Sequence, residues 1–101
     1  MTLFWTPIAL ERVSDISNRI AQRDLETATA WVERLFEAVA SLEDFPAMGR
    51  KVPELDRENF REIIHEKYRI IYKLERERIV ILTVRHGRQL LDETDLGLGL
   101  T

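Results

Sequence analysis

The chain has 101 residues, of which 45% are apolar and 33% are charged, and its formal net charge is −3. This length and composition predict one globular domain over residues 1–101 with a single core, and they exclude a disordered chain. The absence of cysteine excludes disulfides, thiol catalysis and thiolate metal sites. No apolar run approaches the roughly 18–20 residues that a membrane span needs, and the N-terminal segment lacks the pattern of a signal peptide. We therefore expect a cytoplasmic protein with no membrane partner.

Charge is distributed unevenly along the chain. Residues 1–48 carry four basic and eight acidic side chains, whereas residues 49–88 carry eleven basic and seven acidic ones. The second half is thus the electropositive part, which suits an anionic partner. The alternative is that lysine and arginine on exposed strands keep a small sheet soluble.

Two helices are predicted in the first half. A short apolar run, LFWT, ends where Thr6 can cap a helix and Pro7 can occupy its first turn. Apolar residues then recur at three-to-four spacing, which predicts a first helix over about 7–22. Asp24 can cap a second helix over about 24–44, and the short AQRD connection predicts a helical hairpin. The predicted buried stripes comprise Leu10, Val13, Ile16 and Ile20 in the first helix and Leu25, Ala28, Val32, Leu35, Val39 and Leu42 in the second, widened by Trp31 and Phe36.

Three strands are predicted in the second half. Pro46, Gly49 and Pro53 break the helical pattern, and the period of the apolar residues then changes to two. The segments FREIIHE, YRIIYKL and RIVILTVR read as strands over 60–66, 68–74 and 78–85. Their connections are so short that neighbouring strands must be antiparallel.

The alternation of side chains along these strands predicts two unlike faces. One face carries Tyr68, Ile70, Tyr72 and Leu74, and the other carries Arg69, Ile71 and Lys73. On the last strand, Val80, Leu82 and Val84 are expected to oppose Ile79, Ile81, Thr83 and Arg85. The helices are expected to cover the apolar face and to leave Arg69, Lys73, Arg85 and His65 on a partly open one. The prediction is a two-layer α+β domain, with the helical hairpin on one face of a small antiparallel sheet and a loosely ordered tail from about 92 to 101.

The order of these parts resembles a known family. A short strand and a helical hairpin are followed by FPAMGR, VPEL, REI, YRIIY, IVILTV and RHGRQ. Over about residues 3–90 this order is similar to the ParE branch of the RelE/ParE toxin superfamily, the toxins of type II toxin–antitoxin modules. The resemblance implies a helical hairpin on an antiparallel sheet and neutralisation by a cognate antitoxin in a hetero-oligomeric complex. ParE-type members are associated with poisoning DNA gyrase, whereas RelE-type members cleave mRNA in the ribosome.

The residues favour the gyrase alternative. By the resemblance, an RNA-cleaving member would carry lysines on the first of the three strands, where this chain has Phe60 and Glu62. Arg69 and Arg88 match the two arginines of such a nuclease, and His86 is the remaining candidate for a general acid. We therefore expect a ParE-like toxin that contacts gyrase and has no catalytic site, cofactor or metal. The alternatives are a ribosome-dependent endonuclease that uses Arg69, Arg88 and His86, and a non-toxic domain that only binds its antitoxin.

Five residues are the candidates for contact with the target: Arg61, Arg69, Arg85, His86 and Arg88. Each also has a structural interpretation. The three strand arginines could form ion pairs with nearby glutamates, and His86 could bond locally at the end of its strand. An open sheet edge and the groove of the helical hairpin are the expected places for the antitoxin.

Overall fold

A computed structural model describes residues 1–91 and Asp95. In chain order its elements are β1 (Thr2–Trp5), α1 (Pro7–Ala21), α2 (Leu25–Ala40), a short 3₁₀ turn (Ser41–Glu43), β2 (Arg50–Lys51), β3 (Phe60–His65), β4 (Tyr68–Leu74) and β5 (Arg78–His86). The predicted helices and the three predicted strands are all present. The second helix ends four residues earlier than expected, since the chain tightens into the 3₁₀ turn. The predicted loose tail lies outside the described residues, apart from Asp95.

Both helices begin at the predicted capping residues. The Thr6 hydroxyl accepts a hydrogen bond from the Ala9 amide at 3.1 Å, and the Asp24 carboxylate accepts one from the Glu26 amide at 3.1 Å. Each cap satisfies an amide that has no partner inside its own helix. The Thr6 hydroxyl also donates to the Leu82 carbonyl at 3.0 Å, which ties the start of α1 to β5.

The five strands form one sheet in the order β1-β5-β4-β3-β2. β3, β4 and β5 are antiparallel neighbours, as predicted. β1 pairs with β5 in the parallel direction, from Thr2 opposite Arg78 to Trp5 opposite Ile81. The sheet is therefore mixed, not purely antiparallel. The helical hairpin and three strands lie between β1 and β5 in sequence, and a connection of that length permits a parallel pair.

The main core lies between the helices and one face of the sheet. It contains Ala9, Val13, Ile16, Trp31, Leu35, Val39, Leu42, Ile70, Tyr72, Ile79, Ile81 and Val84. Leu10 and Leu25 were predicted for this core, but both are exposed, Leu25 at 70%. Ala9 takes the buried place on α1 instead of Leu10, and Leu25 lies in the first turn of α2. Phe36 is also partly exposed and packs on Trp5, with ring centroids 4.7 Å apart.

A β-bulge at Leu82 corrects the predicted faces of β5. Ile71 pairs with Thr83 and Tyr72 pairs with Ile81, so that Leu82 has no opposite residue in β4. The extra residue shifts the alternation by one, and Val84 consequently joins Ile81 in the main core. His65 was also placed wrongly, because the neighbouring Ile63 packs against this core and the alternation puts both on the helix side.

The opposite face of the sheet is less open than predicted. A second apolar cluster, Val52, Phe60 and Ile71, covers part of it, with Leu55, Leu82 and Leu91 packed at its border. Lys73 is partly exposed, as expected, whereas Arg69 is only 5% exposed. The loop that precedes β3 and the segment that follows β5 both supply residues to this face, and they bury it.

Candidate target-binding site

A buried ion-pair network surrounds Arg69 on the face opposite the helices. Its Nε donates to Glu62 at 2.7 Å, and its two terminal nitrogens donate to the Glu54 carboxylate at 2.8 and 2.7 Å. The hydrogen bonds from Arg69 lower the pKa of Glu54 to about 2. The same bonds with Glu54 raise the pKa of Arg69 despite its burial. Arg69 therefore has no guanidinium edge free to meet a target in this arrangement.

Glu62 lies at the centre of this network. Its side chain is fully buried, and it also accepts a hydrogen bond from Arg50 Nε at 2.6 Å. Phe60, two residues earlier on β3, is buried in the second apolar cluster. These are the two positions at which the resemblance would require lysines for RNA cleavage. A buried carboxylate and a buried ring fill them instead.

Arg85 lies directly opposite Arg69 in the sheet and has a different partner. Its Nε is 3.5 Å from Asp95. Asp95 is buried and also pairs with Arg12 of α1 at 3.1 Å and with the Thr83 hydroxyl at 3.2 Å. Asp95 thus connects α1 to β5, and most of the Arg85 side chain is buried beside it.

Arg61 lies on β3, away from Arg88, and is mostly engaged by the preceding loop. It donates to the Gly49 carbonyl at 2.8 Å and pairs with Glu58 at 3.1 Å. These bonds hold the turn around Gly49 against the sheet. The structure therefore separates Arg61 from the other candidates.

His86 is the last residue of β5, and exposed Arg88 lies in the turn that follows it. The Arg88 amide donates to His86 Nδ1 at 3.2 Å, and the His86 ring packs edge-on against Tyr68 with centroids 5.8 Å apart. The Arg88 side chain is exposed and makes no hydrogen bond or ion pair within the described part of the chain. Of the five predicted contact residues, these two are adjacent and accessible.

A groove runs beside His86 between α1 and the end of the sheet, and we call it the sheet-end groove. Its first part is a cavity of about 310 Å³, lined by Arg12, Asp15, Ile16, Arg19, Tyr68, Val84, His86 and Gln89. Its second part, of about 630 Å³, shares Ile16, Arg19 and Tyr68 with the first and adds Ile20, Gln22, Arg23, Asp24, Thr27 and Lys67. Arg19, Arg23 and Lys67 make no ion pair among residues 1–91. The groove therefore places several basic side chains around Tyr68, together with the carboxylates of Asp15 and Asp24.

Sequence reasoning missed Arg19 and Lys67. A signal was present, because Arg12 and Arg19 are seven residues apart and so share one side of α1, and Arg23 follows just after the end of the helix. Lys67 lies in the turn between β3 and β4, beside the end of β5. Only the packing of α1 over the sheet shows that these residues border the same groove.

The chemistry available at this groove is recognition of charge and shape. Among the residues that the structure describes, no group of three or more His, Cys, Asp or Glu could hold a metal ion. No helix in the same part of the chain is long and apolar enough to cross a membrane.

Comparison with known proteins agrees with this architecture. Residues 3–91 match the family described as "ParE toxin of type II toxin-antitoxin system, parDE". A chain of the solved "Chromosomal ParDE TA system from P. aeruginosa" has a similar fold, with a TM-score of 0.72 and 21% sequence identity. The match covers 85% of this chain and 95% of that one. No curated protein matches the sequence significantly.

Proposed function

The chain belongs to the ParE toxin family of type II toxin–antitoxin systems, and from that premise we propose that it inhibits DNA gyrase by protein–protein contact and is neutralised by a cognate antitoxin. The target surface is the exposed end of β5, where Arg88 and His86 lie beside the sheet-end groove. Arg19 and Lys67 extend this surface, while Arg85 lies beneath it.

The observation that carries this proposal is the engagement of Arg69 by two carboxylates. RNA cleavage requires cations that stabilise a pentavalent phosphate and a base that removes the 2′ proton. Arg69 is neutralised by Glu54 and Glu62, and buried Glu62 stands where a lysine would be needed. Exposed Arg88 and half-buried His86 are then suited to binding a protein surface.

A free stretch of sheet edge supports the proposed antitoxin contact. β2 pairs with only two residues of β3, Arg61 and Glu62. Beyond them, Ile63–His65 have no strand partner on that side among the described residues. A largely apolar hollow of about 430 Å³ lies beside this edge and includes Met48, Ile63 and the 55%-exposed Ile64. An extended antitoxin segment can pair with such an edge and place apolar side chains in the hollow.

The decisive experiment compares the two possible targets in parallel. Purified toxin is titrated into a gyrase supercoiling reaction and into a ribosome-containing translation reaction whose mRNA is followed by primer extension. We expect loss of supercoiling, with intact mRNA. Codon-linked cleavage of the mRNA that is abolished by Arg88→Ala, with gyrase unaffected, would overturn the proposal and support the endonuclease.

The antitoxin contact is tested separately. Ile64→Glu introduces a charge beside the free edge of β3, and Glu77→Lys introduces a charge change at the distant hairpin tip as a control. We expect the first variant to lose affinity for the antitoxin and the second to keep it. Equal affinity of both variants would place the antitoxin elsewhere.

A further inference from the structure

We infer that Arg69 and Glu54 form a clamp that positions the turn carrying Arg88, so that Arg69 serves target binding without touching the target. This inference rests on the proposed function, because it concerns the same surface. It also changes the role of Arg69, which the sequence indicated as a direct contact.

The clamp holds the chain after β5 at two points. One terminal nitrogen of Arg69 donates to the Gln89 carbonyl at 3.1 Å. The Glu54 carboxylate accepts a hydrogen bond from the Leu91 amide at 3.3 Å. Arg69 itself is fixed from the other side by buried Glu62. The main chain on the far side of Arg88 is therefore attached to a rigid, buried group.

The turn is also closed by its own hydrogen bonds. The Gln89 amide donates to the His86 carbonyl at 2.9 Å, and the Gln89 side-chain oxygen accepts from the His86 amide at 3.1 Å. The Gly87 amide donates to the Lys67 carbonyl at 2.8 Å. The Arg88 side chain is exposed in this turn, and the main chain on both sides of it is held by these hydrogen bonds.

The benefit of such a clamp is preorganisation. An arginine on a mobile segment loses main-chain freedom when it binds, which weakens association. Here the freedom of the main chain has already been lost on folding, so that only the Arg88 side chain is ordered at the interface. An arginine suits the clamp because its planar fork reaches Glu62, Glu54 and the Gln89 carbonyl together, which the single nitrogen of a lysine cannot do.

The test uses two variants that leave charge in the network. Glu54→Gln keeps the shape of the side chain but weakens its hydrogen bonds with Arg69 and with the Leu91 amide. Arg69→Lys keeps the charge opposite Glu62 but removes the planar guanidinium. Glu75→Gln is the matched control, because Glu75 pairs with an arginine, Arg78, at the opposite end of the sheet. Each is made alone and together with Arg88→Ala in the full chain.

Two quantities are measured. Amide hydrogen exchange reports how firmly the turn is held, and we expect exchange at Gln89 and Leu91 to accelerate at least about tenfold in both clamp variants relative to amides of β4. The affinity for gyrase reports how much the clamped turn contributes to target binding. Arg88→Ala should weaken binding about tenfold in the wild-type and Glu75→Gln backgrounds but less than about threefold in Glu54→Gln, since an unclamped Arg88 contributes little.

The possible outcomes separate the two claims. Unchanged exchange at Gln89 and Leu91 in both clamp variants overturns the inference. So does an undiminished effect of Arg88→Ala in the Glu54→Gln background. If wild-type toxin does not bind gyrase, the proposed function fails, and the exchange measurement alone then decides whether the clamp positions the turn.

Discussion

Arg69 and Arg85 face each other across β4 and β5, and each is held by a carboxylate from a different part of the chain. Glu54 comes from the loop before β3, and Asp95 comes from the segment after β5. Two like charges directly opposite in a sheet are destabilising, so the pair depends on these carboxylates. The charges of both arginines on this face are thereby compensated, whereas the exposed Arg88 side chain in the turn after β5 has no ion pair within the described part of the chain.

The first prediction concerns the stability of the network. Arg69→Met leaves buried Glu62 with only Arg50 as a partner, and we expect it to lower the free energy of unfolding by about 3–5 kcal/mol. Adding Glu62→Leu should recover part of this loss, because no buried charge is then left unpaired. Urea denaturation measures the free energy of unfolding of both variants. The control, Arg78→Met, removes an exposed ion pair and should lower the free energy of unfolding by less than about 1 kcal/mol. Equal effects of Arg69→Met and Arg78→Met would contradict the burial of the network.

The second prediction concerns pH. The pKa of Glu54 is lowered from 4.5 to about 2 in the folded protein. As the pH falls, the Glu54 carboxylate is therefore protonated at a higher pH in the unfolded state than in the folded state. The resulting stabilisation, roughly 3 kcal/mol, is complete above pH 4.5 and is lost as the pH falls towards 2. Denaturation curves of wild-type toxin and Glu54→Gln, recorded between pH 6 and pH 2, should therefore converge on acidification. Curves that stay parallel would show that Glu54 is not held by Arg69.

The third prediction concerns the contact between Tyr72 and Gly49. The Tyr72 hydroxyl accepts from the Gly49 amide at 2.9 Å and donates to the Pro46 carbonyl at 2.8 Å. Tyr72→Phe leaves a buried amide unpaired and should cost about 1–3 kcal/mol. A Cβ at position 49 would lie 2.6 Å from the Tyr72 hydroxyl, so Gly49→Ala should also destabilise the protein.

Thermal unfolding of the single and double variants checks this contact. A Cβ at position 49 would also lie 2.6 Å from the Glu62 carbonyl oxygen. Because both substitutions nevertheless disturb the contact between Tyr72 and Gly49, the double variant should lose less stability than the sum of the two single losses. Simple additivity would show that the two residues act independently.

The fourth prediction concerns the target surface. Arg88→Ala should weaken gyrase inhibition about tenfold with an unchanged melting temperature, because the side chain is exposed and its loss removes one interfacial charge. Arg76→Ala removes the same charge from the exposed turn between β4 and β5 and serves as the matched control. The two variants are compared by the toxin concentration that halves supercoiling. Equal potency of both would remove Arg88 from the interface.

Local patterns in the sequence predict most elements of the fold and two residues of the proposed target surface. The bounds of the helices and strands were predicted to within a few residues. The signals were the helix caps at Thr6 and Asp24 and the change in the period of the apolar residues. The same rule of alternation failed at Val84, because one bulged residue shifts every later side chain to the other face and no local signal marks it. Arg88 and His86 were identified at the strand end, but Arg19 was not, since its place beside them depends on how α1 packs.

The sequence by itself determined the helical hairpin, the antiparallel strands and the family, because each depends on the order and spacing of neighbouring residues. Tertiary structure decided which arginines are available. Arg69 and Arg88 are both arginines of the electropositive second half, yet Arg69 is buried between Glu54 and Glu62, which come from separate segments. Arg88 lies exposed in the turn after β5. Ion pairs between distant segments depend on the three-dimensional approach of those segments, which residue spacing does not encode.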